Sequence, residues 1–162
     1  MFICYVSLDD VNQRLAAETA EESGATIDYC ASQAEMPVVP CDAVMYDLDN
    51  LPSDDRRRIL NELRSGPAKR VSAVHSYNLK AADAEALRRN GVVVRRRLQR
   101  NWLTHLIRGK MAIEKFKAAK IDDPKEYYKD KKIRVTGTIM QREKKFQIVV
   151  DDPKQIETVD KK

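Results

Sequence analysis

The sequence has no apolar run that approaches the length of a membrane-spanning helix, and it has no glycine-rich phosphate-binding loop. Its first ten residues include two acidic residues and no basic one, so we expect no export segment. The three cysteines, Cys4, Cys30 and Cys41, are an odd number, and each lies in or beside an apolar stretch. This pattern predicts reduced, buried thiols and a cytoplasmic protein.

Residues that commonly bind metals or act as nucleophiles are also scarce. The two histidines, His75 and His105, are far apart in the sequence, and neither has a partner at the spacing of a metal site. No cysteine has an evident histidine partner for catalysis. We therefore predict a protein without enzymatic activity and without a cofactor.

Charge divides the sequence into two different halves. Residues 1–85 carry 15 acidic and 8 basic residues, a net charge of −7, whereas residues 86–162 carry 10 acidic and 22 basic residues, a net charge of +12. Between Ala86 and Ile113 there are eight basic residues and no acidic one. Such a segment is either a solvated basic face or a surface that attracts phosphate or an acidic protein.

The first two thirds of the sequence alternate between strand and helix patterns. The uninterrupted apolar run Ala43–Tyr46 predicts a central strand that is buried on both faces and ends at Asp47. Other strands are predicted over Phe2–Val6, Ala25–Ala31, Arg70–His75 and Val92–Val94, and helices over Val11–Ser23, Ser53–Arg64, Ala81–Arg89 and Asn101–Arg108. We expect Asp9 or Asp10 to cap the first helix and Ser53 the second. The alternation predicts a doubly wound α/β fold with a five-stranded parallel sheet.

Residues 1–109 resemble the receiver domain of bacterial response regulators. In that family an aspartate ends the third strand, a small hydroxyl residue ends the fourth, and a lysine ends the fifth. Asp47 matches the phosphoacceptor aspartate, His75 or Ser76 matches the hydroxyl switch residue, and Arg95 matches the lysine, while Pro52 matches a loop proline. The resemblance implies a flavodoxin-like sheet of strand order 2-1-3-4-5 and a role in signal transduction.

The first strand departs from the family pattern. Where receivers keep an acidic pair for magnesium, this sequence reads Ser7-Leu8, and Asp9 and Asp10 come two residues later. Magnesium is usually held by carboxylates and water, which serine and leucine cannot replace. The planar guanidinium of Arg95 is also a poor substitute for a compact ammonium group beside an acyl phosphate.

We therefore predict a pseudo-receiver that acts through contact with a protein partner and needs no metal. The alternative is an active receiver that is phosphorylated on Asp47 and binds magnesium through Asp9, Asp10 and Asp47. Neither interpretation involves a membrane.

The last third, residues 110–162, is predicted to be a separate helix and β-hairpin. A helical pattern covers Met111–Lys120 and either starts after Gly109 or continues the preceding helix. The alternating stretch Lys132–Ile139 and the stretch Phe146–Val150 predict the two strands of the hairpin, with Phe146 facing inward. We expect the hairpin to end at Asp152-Pro153.

This segment resembles the end of an OB-fold domain, on the runs Lys131–Ile139 and Phe146–Ile156. The first three strands of that fold have no counterpart in the chain, which suggests a truncated or chimeric arrangement. The resemblance, together with the basic charge, gives a second alternative: weak, non-specific binding of nucleic acid. Candidate contacts to nucleic acid or to a partner are Arg95, Arg96, Arg97, Arg100, Arg134, Arg142, Lys144 and Lys145.

Overall fold

A computed structural model describes residues 1–36, 40–67, 71–142 and 145–159 of the chain. Two compact units are present, residues 1–107 (unit 1) and residues 108–162 (unit 2), and each is described by itself. Two of the expectations fall outside the described residues: the start of the fourth strand at Arg70 and the candidate contact Lys144.

Unit 1 is built on a five-stranded parallel sheet with the order β2-β1-β3-β4-β5. The strands are β1 (Phe2–Val6), β2 (Thr26–Cys30), β3 (Ala43–Asp47), β4 (Val71–His75) and β5 (Val93–Arg95). The predicted flavodoxin-like fold is therefore confirmed. Because the first strand lies inside the sheet, the chain reverses its direction of winding between β1 and β3, and a crevice forms at the carboxyl ends of these strands.

The helices of unit 1 follow the strands as the sequence predicts. They are α1 (Asp10–Glu22), α2 (Ser53–Arg64), α3 (Ala81–Arg89) and the first part of α4 (Arg100–Ala118). Asp9 caps α1, since its carboxylate accepts hydrogen bonds from the backbone N–H groups of Val11 and Asn12. The prediction that Ser53 caps α2 is wrong, because Ser53 is itself helical and the extended residue before it, Pro52, has no side-chain donor or acceptor.

The core of unit 1 lies on both faces of the sheet. All five residues of β3 are buried, as the uninterrupted apolar run predicts. On one face, Val44 and Tyr46 belong to a cluster with Ile59 of α2 and Leu87 of α3. Because side chains alternate along a strand, Met45 points to the opposite face, where it is fully buried.

The helix α4 runs without interruption from Arg100 to Ala118 and so passes through Gly109. This resolves the two alternatives for Met111–Lys120 in favour of one continuous helix, which ends two residues earlier than the pattern suggests. A glycine inside a helix costs about 1 kcal/mol relative to alanine. No helix in the described part of the chain combines the length and the apolarity needed to cross a bilayer.

Unit 2 contains a short helix and two separate two-stranded antiparallel sheets. Its elements are α5 (Pro124–Tyr127), β6 (Ile133–Val135), β7 (Thr138–Arg142), β8 (Lys145–Val149) and β9 (Ile156–Thr158). β7 pairs with β8 in the predicted hairpin, whereas β6 pairs with β9. The segment that follows Asp152-Pro153 therefore forms a further strand, β9, which the sequence did not predict.

Two predictions for unit 2 are wrong. The stretch Lys132–Ile139 is not one strand, because it breaks at Thr136-Gly137 into β6 and β7. The break occurs where the backbone of Gly137 lies against the hairpin: a Cβ atom there would clash with the carbonyl oxygen of Val149. Phe146 does not face inward, since 76% of its surface is exposed.

Candidate functional site

Side chains from neighbouring strands meet at the carboxyl edge of the sheet in unit 1. Asp47 ends β3 and lies opposite His75, the last residue of β4, and His75 in turn lies opposite Arg95 of β5. Ser7 directly follows β1, two residues beyond Tyr5, which pairs with Met45. Ser7 is therefore level with Asp47 at the edge of the sheet. Because paired residues of neighbouring parallel strands lie on the same face of the sheet, Ser7, Asp47 and His75 lie side by side.

The Asp47 carboxylate is almost completely buried, with 1% of its surface exposed. One of its oxygens, Oδ2, accepts three hydrogen bonds from neutral side chains: Ser7 Oγ at 3.0 Å, Asn12 Nδ2 at 3.0 Å and Asn50 Nδ2 at 2.9 Å. Hydrogen bonds to an ionised carboxylate are stronger than those between neutral groups. These three donors can therefore hold a buried anion without a metal ion or a basic side chain.

The other oxygen of Asp47, Oδ1, has no hydrogen-bond partner within the described residues and faces His75, whose Nδ1 is 3.7 Å away. The second ring nitrogen of His75, Nε2, lies 2.8 Å from the hydroxyl of Tyr5. Burial lowers the pKa of His75, although the charges of Asp47, Asp49 and Asp9 partly oppose this effect. A neutral His75 that accepts from Tyr5 carries its proton on Nδ1, on the side of Asp47.

The hydroxyl of Ser76 belongs to a different cluster. Ser76 Oγ donates to Asp49 Oδ1 at 2.6 Å, and the other oxygen of Asp49 accepts from the backbone N–H of Tyr77 at 2.6 Å. Burial opposes ionisation of Asp49, but these hydrogen bonds and those from Asn78 outweigh it and lower its pKa. Of the two residues that match the hydroxyl switch, His75 therefore faces Asp47 and Ser76 faces Asp49.

The arginine that matches the lysine of receivers does not contact Asp47. The Arg95 side chain is exposed, and its Nη1 donates to the carbonyl of Val94 at 3.0 Å. Both Arg95 and Asp47 lie in the described part of the chain, and no hydrogen bond or ion pair joins them. Arg95 therefore does not supply, beside Asp47, the positive charge that receivers place beside the phosphoacceptor.

The remaining basic candidates are dispersed. In unit 1, Arg100 pairs with Glu18 and Glu22 of α1, whereas Arg96 and Arg97 are exposed after β5. In unit 2, Arg134 of β6 lies 3.5 Å from Glu157 of β9. Arg142 and Lys145 are paired positions at the tip of the β7–β8 hairpin.

The residues around Asp47 do not fit a magnesium ion. The Asp9 carboxylate is occupied by the cap of α1, and its Oδ2 accepts from Asn50 Nδ2 at 3.3 Å. The Asn50 amide therefore donates to Asp9 and Asp47 at once, and its N–H groups cannot act as ligands of a cation. Asp10 is exposed in the first turn of α1. Magnesium requires oxygen lone pairs, and within the described residues no group of three His, Cys, Asp or Glu side chains can hold a metal ion.

Four residues of this site were not identified from the sequence. Tyr5 resembles an ordinary core residue in an apolar strand, and Asn12 resembles a polar residue on an exposed helix turn. Asn50 and Asp49 lie within three residues of Asp47, so their position after the central strand was the available signal. The contacts from Tyr5 and Asn12 depend on the packing of elements that are distant in the sequence.

Solved structures with a similar fold are sensor and receiver domains. A sensor protein from Polaromonas sp. JS666 has a TM-score of 0.52 and 21% identity, and the match covers 67% of this chain and 94% of that chain. A CheY-like response regulator receiver domain from Methylobacillus flagellatus has a TM-score of 0.52 and 19% identity, covering 68% and 98% of the two chains. A CheY-like response regulator receiver domain protein from Methanospirillum hungatei JF-1 has a TM-score of 0.52 and 15% identity. The match covers 67% of this chain and 91% of that chain.

At these levels of identity, the similarity shows that about two thirds of the chain has the receiver-domain fold. No protein-family model matches the sequence, and no curated protein matches it either.

Proposed function

We propose that unit 1 is a pseudo-receiver: a signalling module that acts by binding a protein partner and does not undergo phosphorylation. The observation that supports this proposal is the set of contacts to Asp47, whose Oδ2 accepts from Ser7, Asn12 and Asn50. In a phosphorylation site this carboxylate must act as a nucleophile beside a metal ion. Here three neutral donors stabilise it as a buried anion, which lowers its reactivity.

Among the described residues, the contacts of Asp47 also do not include the positive charge that phosphoryl transfer needs. Incoming phosphate oxygens carry negative charge, and receivers neutralise it with a metal ion and a lysine. In this pocket the Asn50 amide donates to both Asp9 and Asp47, and the Arg95 guanidinium donates to the carbonyl of Val94 in its own strand. This arrangement supports the proposal of a non-catalytic module without a cofactor. We propose a cytoplasmic location because the three cysteines are buried in the core, where the sequence pattern predicts reduced thiols.

The test is incubation of the full chain with a small phosphodonor and magnesium, followed by intact-mass measurement. We expect no added phosphoryl group in the natural sequence or in Asp47→Asn. As a matched gain-of-function control, the variant Ser7→Asp/Leu8→Asp/Arg95→Lys restores the acidic pair and the lysine, and we expect it to gain reactivity. A phosphoryl adduct on the natural chain that Asp47→Asn abolishes contradicts the proposal and supports an active receiver.

A second function, binding of single-stranded nucleic acid, is favoured by one observation in unit 2. Phe146 is 76% exposed and lies on the same face of the hairpin as Ile139 and Ile148, which are 67% and 48% exposed. Lys145 precedes it in β8. An exposed aromatic ring can stack on a base, and the adjacent Lys145 adds positive charge that attracts the phosphates.

Fluorescence anisotropy with labelled single-stranded DNA tests this second function. We expect a Kd in the range of non-specific contacts, about 10⁻⁴–10⁻⁶ M at physiological salt, which weakens as salt is raised. Phe146→Ala should weaken binding, whereas Tyr127→Ala, which removes a 46% exposed aromatic ring elsewhere in unit 2, should not. Equal losses in the two variants contradict stacking on Phe146.

A further inference from the structure

A cavity of about 450 Å³ lies in unit 1 between α3 and β5, apart from the Asp47 pocket. Its wall includes Ser76 and Tyr77, which follow β4, and Arg95 and Arg96 at the end of β5. It therefore opens at the carboxyl edge of the sheet, where open parallel sheets bind their ligands. Its volume falls in the range of about 300–1,000 Å³ that is typical of small-molecule sites.

Three arginines line this cavity, and its lining contains no acidic residue from the described part of the chain. Arg88 of α3 and Arg95 and Arg96 of β5 and its following loop are exposed, and none of them forms an ion pair with the described residues. Other arginines of unit 1 are paired, such as Arg64 with Asp83. The guanidinium groups of Arg88 and Arg96, and the donors of Arg95 that are not bonded to the Val94 carbonyl, are therefore available to an anionic ligand.

The Asp49 carboxylate, which bonds two residues of the cavity wall, forms no ion pair with these arginines. Asp49 lies behind Ser76 and Tyr77, and its two oxygens accept hydrogen bonds from the Ser76 hydroxyl and from the backbone of Tyr77. The arginine close to it is Arg56, at 4.0 Å, and Arg56 does not line the cavity. The excess positive charge thus remains at the cavity itself.

The rest of the cavity wall is apolar and includes an aromatic ring. Leu79, Ala84 and Val94 contribute aliphatic surface, and Tyr77 is 63% exposed. A simple inorganic anion makes no use of such a surface. A flat ring that is attached to the anion can pack against Tyr77 and the aliphatic side chains.

We propose that the cavity binds a mononucleotide. The planar guanidinium forks of Arg88, Arg95 and Arg96 suit the oxygens of a phosphate group, with which arginine forms paired hydrogen bonds. The base packs against Tyr77 and the aliphatic wall. This site is separate from Asp47 and does not depend on whether unit 1 is a pseudo-receiver.

Isothermal titration calorimetry on the full chain tests the proposal with three probes: each of the common nucleoside monophosphates, the matching nucleoside, and inorganic phosphate. We expect saturable binding of at least one nucleotide, and binding at least tenfold weaker for its nucleoside and for phosphate. Arg88→Gln and Arg96→Gln should each weaken nucleotide binding by about tenfold or more, because each removes a charged hydrogen-bond donor. Tyr77→Leu should weaken binding of the nucleotide but not of inorganic phosphate.

The matched control is Arg89→Gln. Arg89 is an exposed neighbour of Arg88 on α3 that does not line the cavity, so the nucleotide affinity should stay unchanged. Far-UV circular dichroism verifies that every variant is folded. The proposal is overturned when no nucleotide binds, when the nucleoside binds as tightly as the nucleotide, or when Arg89→Gln weakens binding as much as Arg88→Gln does.

Discussion

In unit 1 the strand β3 is buried at all five positions, whereas in unit 2 the strand β8 is exposed at its first four positions. Both strands contain large apolar residues, yet Met45 is fully buried and Phe146 is 76% exposed. The difference arises because β3 lies in the middle of a five-stranded sheet with core residues on both faces, and β8 belongs to a two-stranded sheet. A two-stranded hairpin is marginally stable alone, so unit 2 depends more on local backbone geometry.

The two units also differ in how they treat polar groups. The buried polar side chains of the described residues are Ser7, Thr19, Asp47, Ser72, His75 and Ser76, and all of them lie in unit 1. A buried polar group requires a hydrogen-bond partner, and in unit 1 Ser7, His75 and Ser76 find theirs on other strands and loops, whereas Thr19 donates to the Leu15 carbonyl of its own helix. Unit 2 keeps its charged groups at the surface, where each contributes little to stability.

The largest expected effect tests the contrast in burial. Met45→Ala removes a fully buried side chain from the central strand and should lower the free energy of unfolding by about 2–5 kcal/mol. Met140→Ala, the matched change in β7, removes a side chain that is 42% exposed and should cost no more than about 0.5 kcal/mol. Urea denaturation followed by circular dichroism and by the fluorescence of the buried Trp102 measures both. Equal losses in the free energy of unfolding of the two variants contradict the contrast in burial between β3 and the hairpin of unit 2.

An intermediate effect is expected from the close backbone approach in unit 2. In Gly137→Ala the new Cβ meets the Val149 carbonyl and lies 2.8 Å from Ile148 Cγ2, so the hairpin must shift, at a cost of about 1–3 kcal/mol. Hydrogen exchange of the β7 and β8 amides measures the loss of protection. Gly66→Ala serves as the control, because a Cβ there meets no atom within 4 Å. If the β7 and β8 amides of Gly137→Ala keep their protection from exchange, the close approach of Gly137 to Val149 does not constrain unit 2.

The same contrast explains how far the sequence predicted the fold. The run Ala43–Tyr46 predicted a buried strand correctly because an uninterrupted apolar run suits a strand that is covered on both sides. The alternation of Phe146 with Ile148 predicted a strand correctly. The prediction that Phe146 faces inward was wrong. Alternation indicates which side chains share a face, and it carries no information about whether another layer covers that face.

For the candidate site too, the sequence predicted some residues and missed others. The strand end located Asp47, and the register uncertainty between His75 and Ser76 was resolved by the structure, since their side chains join different carboxylates. The donors to Asp47 were not predicted, because Ser7 and Asn12 are separated from it by 40 and 35 residues. Contacts over such separations depend on strand order and helix packing, which single-sequence patterns do not specify.

The smallest expected effect concerns the pH dependence of stability in unit 1. Burial lowers the pKa of His75 in the folded protein below its ordinary value near 6.5. Between the two pKa values the unfolded chain binds the proton and the folded chain does not, so stability falls as the pH is lowered through this window. Below the folded pKa both states are protonated and the effect is constant. One proton gives a slope of at most about 1.4 kcal/mol per pH unit.

Urea denaturation of the natural chain and of His75→Gln, at a series of pH values from 7.5 downward, measures this contribution. We expect His75→Gln to be less stable at pH 7.5, because it alters the hydrogen bond to Tyr5, but to lose less stability as the pH falls below 6.5. His105→Gln is the control, since that histidine is exposed on α4 and its replacement should leave the slope of the natural chain unchanged. If His75→Gln retains the full slope, the buried histidine does not control the acid sensitivity of unit 1, and the carboxylates of the sheet edge must account for it.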